Sequence, residues 1–389
     1  MQQGPRLSDL ISIGVLTQTF PPDKVDRIIV QAGRKEKRSR LLPARVVVYF
    51  SLAMCLWSSE PYKEVMALLV RGLRWTEQWS SSWKLPTDTA IGLARRRLGS
   101  EPLKLLFRAA VRPFDQRVAA GMYYENWRLV AIDGTVLDLA DTPENEEAFG
   151  RPGNGRSNDP AAFPQARVLG LVECGTHVIF DACIRRCNES EQSMAPQLFE
   201  SLRSGMLALC DRGFWSYDLW SAACRHGADL LWRTKSNISL PVIEELGDGS
   251  FLSEIRSSKD KTAPAVVVRV IEYQLDGISP ETYRLVTTIL DPNAAPAEDL
   301  AGLYSERWEI ESAFDELKTH QRGRQAVLRS KYPETAEAEI WSHLLVHYAI
   351  RLLMANAAVE AEVDPDRTSF LNALRIVRRQ VSGPASFSP

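Results

Sequence analysis

Apolar and polar positions alternate along this chain in three successive rhythms. Up to about residue 118 the apolar residues recur at helical spacing. The run PPDKVDRIIVQAG places prolines at a helix start. A basic connector, Arg34 to Arg40, leads to a nearly all-apolar helix from Pro43 to Trp57. Helices over Tyr62 to Leu73, Asp88 to Leu98 (with Thr87 as cap) and Glu101 to Val118 complete this part. After Gly121 short apolar runs bounded by Gly, Asp and Asn take over. Trp127 to Ile132 reads as a strand ending at Asp133-Gly134-Thr135, with Val136 to Leu139 turning back beside it, and Asp141 to Pro164 reads as loop. Ala166 to Cys174 and His177 to Ile184 form a hairpin around Gly175-Thr176. A helix (Ser190 to Leu202), a strand (Gly205 to Cys210), a helix (Tyr217 to His226) and a strand (Ala228 to Thr234) follow, which implies an α/β layer with a mixed sheet.

Residues 236–292 break that order. Val242 to Leu246, Phe251 to Ile255, Ala265 to Tyr273 and Tyr283 to Leu290 read as strands of a β-rich insertion. The chain then returns to helix over Ala297 to Lys318, Glu334 to Ala357 and Thr368 to Arg379. The expected organisation is a helical N-terminal domain (1–120), a first part of an α/β core (121–235), the insertion (236–292), a second part of the core (293–360) and a basic C-terminal segment (361–389).

Within the third helical stretch, Leu303 to Thr319 has no Pro or Gly. At about 100° per residue, Leu303, Ile310, Phe314 and Leu317 share the buried arc. Tyr304, Arg307, Glu311 and Lys318 fall on its border, within about 60° of each other. Glu306, Glu309, Ser312 and Glu316 are expected to face water. Two strand-terminal aspartates join this row: Asp133 and Asp211 each follow a short apolar run, where α/β folds place ligand-binding groups. Asp138 and Asp141 compete for the first position, but one falls inside the second strand and the other starts a turn. With Glu311 the two aspartates supply three hard oxygen donors suited to Mg²⁺ or Mn²⁺, and such clusters hold ions for in-line phosphoryl displacement. Arg307 and Lys318 would grip phosphate oxygens on the same substrate.

Net charge is −2, so any nucleic-acid binding must use local patches rather than a global field. Candidates are Arg34 to Arg40, Arg322 to Lys331 and Arg367 to Arg379. Arg95, Arg96 and Arg97 read either as part of a helix-turn-helix or as a solvated cluster. The six cysteines form no paired CxxC pattern and read as buried thiols of a reducing cytoplasm. Val46 to Trp57 is too short to span a bilayer of about 30 Å, and no signal peptide is expected. His343 and His347 stand at helical spacing without the glutamate of HExxH, which favours packing. Gly150 to Gly155 lacks the P-loop Lys-Ser/Thr, and Cys210 has no identifiable histidine partner.

Tyr304, Arg307, Glu311 and Lys318 match Y-x2-R-x3-E-x6-K, the helix motif of DDE transposases of the IS-four family. Asp133 in AIDGT and Asp211 in CDRGF resemble that family's two catalytic aspartates, and LISIGVLTQTFPPDKVD resembles its N-terminal domain. The resemblance covers nearly the whole chain. It implies an RNase H-like mixed-sheet core with a β-rich insertion and a helical, DNA-binding N-terminal domain. It also implies Mg²⁺ (or Mn²⁺) held by Asp133, Asp211 and Glu311, with Tyr304, Arg307 and Lys318 on DNA phosphates. Trp308 is a candidate to stack a flipped base or to sit in the core. The implied activity is cutting DNA at the inverted repeats of an insertion sequence and joining the 3′ ends to target DNA. The implied protein is a homo-oligomer on paired ends, without a membrane, in the cytoplasm at the nucleoid. A metal-dependent nuclease that joins nothing, or a silent DNA-binding inhibitor of transposition, are the alternatives.

Overall fold

The computed structural model describes residues 12–38, 42–73, 85–115, 119–153, 161–275, 279–323, 327–365 and 368–379. The first part is helical: α1 (Ser12–Thr19), α2 (Pro22–Gln31), α3 (Ala44–Leu56), α4 (Tyr62–Leu73), α5 (Asp88–Leu98) and α6 (Glu101–Ala110). Thr87 caps α5 as its side chain accepts from the Ala90 amide. Every residue of α3 except Arg45 is buried, as an all-apolar helix requires.

The strands are β1 (Tyr123–Tyr124), β2 (Trp127–Leu139), β3 (Gln165–Glu173), β4 (Val178–Arg186), β5 (Met206–Cys210) and β6 (Asp229–Arg233), then β7 (Glu244–Glu245), β8 (Phe251–Ile255), β9 (Val266–Leu275), β10 (Ser279–Thr287) and β11 (Val327–Leu328). Between them lie α7 (Pro143–Phe149), α8 (Glu191–Phe199) and α9 (Tyr217–Cys224). The chain closes with α10 (Ala297–Leu303), α11 (Glu309–Asp315), α12 (Pro333–Ala361) and α13 (Phe370–Arg379). One sheet runs β4-β3-β2-β5-β6-β10-β9-β8-β7. β2, β5 and β6 are parallel, and the β3–β4 hairpin adds antiparallel strands to one side. That is the mixed sheet expected of an RNase H-like core.

Three expectations need correction. The chain does not turn back after Asp133-Gly134-Thr135: β2 continues for 13 residues, because β3 pairs along it from Val130 to Asp138. That ladder overrides the local turn signal of Asp-Gly. The stretch 141–164 is not all loop, since Thr142 caps α7 by accepting from the Asn145 amide. The helix over Ala297 to Lys318 is not uniform: a 3₁₀ turn over Tyr304–Trp308 and a π turn over Glu316–His320 flank α11. The insertion, for its part, extends the core sheet, with β10 antiparallel to β6.

A continuous hydrophobic core runs from Leu16 in α1 to Val377 in α13. α12 is its spine, packed against α3, α6 and β4. By length and composition α12 could cross a membrane, but 61% of that apolar window is buried inside the fold. Among the described residues the cysteines are free thiols, five of them buried.

Candidate active site

Sheet register brings the two aspartates together. Ile132 pairs with Cys210 across parallel β2 and β5, so Asp133 and Asp211 are the next residues on neighbouring strands. β5 leaves β2 at that point, and β11 joins β2 only at Asp138. Among the described residues the intervening edge of β2 is unpaired, which opens a crevice at the carboxyl end of β5. Asp133 Oδ1 accepts from the Gly134 amide at 2.8 Å, and Asp211 Oδ1 accepts from the Gly213 amide at 2.6 Å.

The third group arrives on the helical segment that crosses this crevice. Tyr304 is buried, and its hydroxyl donates to the Cys210 carbonyl at 3.2 Å, which fixes the strand end next to Asp211. Arg307, 7% exposed, places Nη1 3.5 Å from Asp133 Oδ2 and Nη2 4.0 Å from Glu311 Oε1. One guanidinium therefore spans the carboxylates of β2 and α11, while it also lies 4.6 Å from the Trp308 ring centroid. Trp308 itself is exposed, so of its two expected settings the core one does not hold. Lys318 is exposed on the π turn.

Burial pushes the Asp133 carboxyl up to about 6, and the Glu191 and Asp211 charges add to that; the Gly134 amide and Arg307 oppose it. A carboxylate desolvated among other carboxylates favours a cation beside it. Among the described residues, no three His, Cys, Asp or Glu side chains converge closely enough to hold an ion as they stand. The donor chemistry nevertheless fits Mg²⁺ or Mn²⁺: hard carboxylate oxygens from two adjacent strand ends and one helix. Arg307 occupies the interval between two of them.

Two groups escaped the sequence reading. Glu191, in the first turn of α8, packs over Gly134 and pairs with Arg167 at 2.7 Å. Its neighbour Gln192 donates to the Gly213 carbonyl, so α8 braces the loop that carries Asp211. The second group surrounds Glu316, which is buried rather than facing water. No pattern in a single sequence marks either one. His347 has the polar packing role expected of it, with Nε2 3.0 Å from Glu316 Oε2, and His343 is buried.

The arginine-rich end of α5 divides: Arg96 and Arg97 are exposed, as a solvated cluster would be, whereas Arg95 is not. Arg95 is buried, donates to Ser330 Oγ at 2.8 Å and pairs with Glu339 at 3.9 Å. Arg96 lies 3.9 Å over the Tyr332 ring and pairs with Glu334 at 3.6 Å; Arg97 donates to the Leu42 carbonyl. Arg95 and Arg96 bind the helical part to the core, while Arg97 stays within the helical part. Of the other basic clusters, Arg322 is buried and Arg378 donates inward to the Leu56 and Gln321 carbonyls. Arg34, Lys35, Lys37, Arg38, Lys331, Arg375 and Arg379 are exposed. Residues 39–41, 324–326, 366–367 and 380–389 of those clusters and of the C-terminal segment lie outside the described residues, as do parts of the Gly150–Gly155 loop.

A family model described as a transposase DDE domain matches residues 128–349, and one described as an insertion element 4 transposase N-terminal region matches residues 10–108. The chain is 28% identical over 383 residues to the transposase InsG for insertion sequence element IS4 of Escherichia coli K12, covering 95% of this chain and 83% of that protein. It is 25% identical over 238 residues to the putative transposase InsZ of the same strain, covering 60% and 75% of the two. A piggyBac transposase synaptic complex with hairpin DNA, solved by cryo-EM, superposes with a TM-score of 0.51 over 98% of this chain and 83% of that one, at 10% identity. That likeness is one of fold, and with the DDE match it identifies the mixed sheet as an RNase H-like core.

Proposed function

This chain belongs to the DDE transposase family, and from that premise we propose that it cuts DNA at the inverted repeats of an insertion sequence and joins the 3′ ends to target DNA. Asp133, Asp211 and Glu311 hold divalent ions, Mg²⁺ with Mn²⁺ as a substitute. The observation that carries the reading is Arg307, which links Asp133 to Glu311 from the side while Asp211 stands on the adjoining strand end. Two of the proposed metal carboxylates, distant in the chain, thus share Arg307.

Bound at these oxygens, divalent ions supply the charge that in-line displacement at a phosphodiester requires. The protein's own part is to orient and to neutralise. Tyr304 anchors the end of β5 and so sets Asp211. Arg307 offsets two carboxylates before DNA arrives, and can turn to phosphate oxygens once cations take that role. Lys318 is the exposed cation for backbone phosphate. A phosphate contact by Tyr304 requires its hydroxyl to leave the Cys210 carbonyl. Exposed Trp308 beside Arg307 is placed where a base could stack. The chain acts as a homo-oligomer on paired ends, in the cytoplasm at the nucleoid.

Labelled DNA carrying the element's own ends, incubated with the protein and Mg²⁺, Mn²⁺ or Ca²⁺, tests this. Joined products are expected with Mg²⁺ and Mn²⁺. Nicks without joining would select a nuclease, and retention of DNA without either product would select a binding-only protein. Glu311→Gln is expected to lower cleavage by roughly three orders of magnitude or more, with DNA retention nearly unchanged, as for loss of a group acting only in the transition state.

A further inference from the structure

Beside α11 stands a largely buried charge cluster that the chemistry above does not use. Glu316 opens the π turn, whose wide loop is closed by the Gln321 amide on the Glu316 carbonyl at 2.8 Å. Its carboxylate accepts from Arg351 Nε at 2.8 Å and from His347 Nε2 at 3.0 Å, both on α12. Arg351 Nη2 binds its other oxygen. His177 Nδ1 lies 3.1 Å from the same Oε1, and His177 Nε2 is bonded to Glu309. His177 sits at the β3–β4 turn with φ 55°, in the left-handed region that few non-glycine residues adopt.

The cluster has a definite relation to Glu311. Glu309 precedes it and Glu316 follows it, and one imidazole holds both. Glu311 itself is half exposed, and its ion pair with Arg307 is long at 4.0 Å. Apolar burial of Ile310, Ala313, Phe314 and Leu317 keeps the segment down on the sheet. Such contacts have little directional preference, whereas charge-assisted hydrogen bonds fix both position and rotation. Burial works against the Glu316 carboxylate, yet the hydrogen bonds from His177 and His347 and the Arg351 charge outweigh it and hold it well below the usual range. Burying these charges carries a desolvation cost that apolar side chains would not, so fold stability alone does not explain them.

We propose that Glu316, His177 and Glu309 form a positioning clasp that sets the rotation of α11 and thereby where the Glu311 carboxylate meets the metal. The proposal rests on the reading of Glu311 as a metal carboxylate. Glu316→Gln keeps the shape but weakens the link to Arg351 and the histidines. Partners that orient a metal-binding carboxylate typically change metal affinity by about 10-fold or more. Mn²⁺ binding to the full chain, followed by electron paramagnetic resonance, is expected to weaken by about tenfold in this variant. The Mn²⁺ concentration for half-maximal cleavage should rise by a similar factor, DNA retention should hold, and excess Mn²⁺ should restore the rate.

Glu339→Gln is the control for simple loss of stability, because Glu339 is equally buried and pairs with Arg95 at 3.9 Å on the same long helix. It should lower the melting temperature while leaving both Mn²⁺ readouts at wild-type values. Glu309→Gln, in a partly exposed side chain, costs the fold less than Glu316→Gln and should shift both readouts in the same direction, by a smaller factor. Wild-type Mn²⁺ affinity in Glu316→Gln and Glu309→Gln, or an equal shift in Glu339→Gln, would overturn the clasp. Glu311→Gln decides the underlying reading separately: if it binds Mn²⁺ as wild type does, the assignment of Glu311 falls, and if it does not, the clasp is judged on the other variants.

Discussion

Asp133 carries opposed influences: burial raises its carboxyl to about 6 from an ordinary 3.8, while Arg307 pulls it down. A folded-state value above the unfolded one means that the ionised side chain destabilises the protein, with the penalty appearing as pH rises from about 4 through 6 and full above it. Asp133→Asn should therefore stabilise the metal-free protein at pH 7.5 by up to about 3 kcal/mol, less the lost attraction to Arg307. The gain should vanish below about pH 4, where the acid is neutral in both states. Chemical denaturation of the two proteins at pH 4 and 7.5 checks this; equal midpoints at the higher pH would contradict it. Gly134 next to it is constrained by contact: a Cβ there would stand 2.3 Å from Glu191 Oε1 and 2.9 Å from its Cγ. Gly134→Ala should cost about 1–3 kcal/mol, measurable as a lower denaturation midpoint, and push Glu191 off Arg167. Asp133 and Asp211 were legible in the sequence because an acid directly after an apolar run contrasts with its surroundings. Glu191 was not, since in sequence it is only an acid in the first turn of a helix.

At the scale of elements, the stretch from Ala297 to His320 shows where helical periodicity serves and where it fails. Ile310, Phe314 and Leu317 are buried as a regular wheel requires, but the row expected on the border divides: Tyr304 and Arg307 are buried, Glu311 and Lys318 exposed. Glu316 is not on the water side, because His177 and, from α12, His347 and Arg351 cover the face that a wheel drawn for one helix assigns to solvent. α5 teaches a related lesson. Three consecutive arginines look like a phosphate-binding edge, yet their partners Glu334, Glu339, Tyr332 and the Leu42 carbonyl are distant in sequence and were invisible there. Arg95→Ala would leave Glu339 buried without its counter-charge, which should lower stability by roughly 3 kcal/mol. DNA affinity measured well below the melting temperature should be unchanged, whereas a helix-turn-helix contact would lose affinity and the salt dependence that goes with it.

Over the whole molecule, the helical first part and the sheet were both readable, but not their mutual dependence. Local patterns report which residues are apolar, not which apolar faces meet. Here α12, contributed by the last third of the chain, meets helices from the first third. Trp341 packs against Phe107 with ring centroids 5.3 Å apart, Cys55 of α3 donates to the Glu339 carbonyl, and Arg95 reaches Glu339 from α5. Ser58 also donates to the Arg322 carbonyl, just past the π turn that follows Glu311, so the helical part braces the segment that carries Glu311 as well. A fragment beginning at residue 119 would keep the whole sheet and the three carboxylates yet expose the apolar flank of α12 and leave Glu339 without Arg95. Exposed apolar area on that scale promotes association rather than a stable monomer. The fragment should accordingly be aggregated in size-exclusion chromatography and lack a cooperative thermal transition. Co-expression with residues 1–118 as a separate chain should restore solubility, because the interface supplies the missing surface. A fragment that ran as a monomer and melted sharply would show that the sheet and α12 are stable without the N-terminal helices.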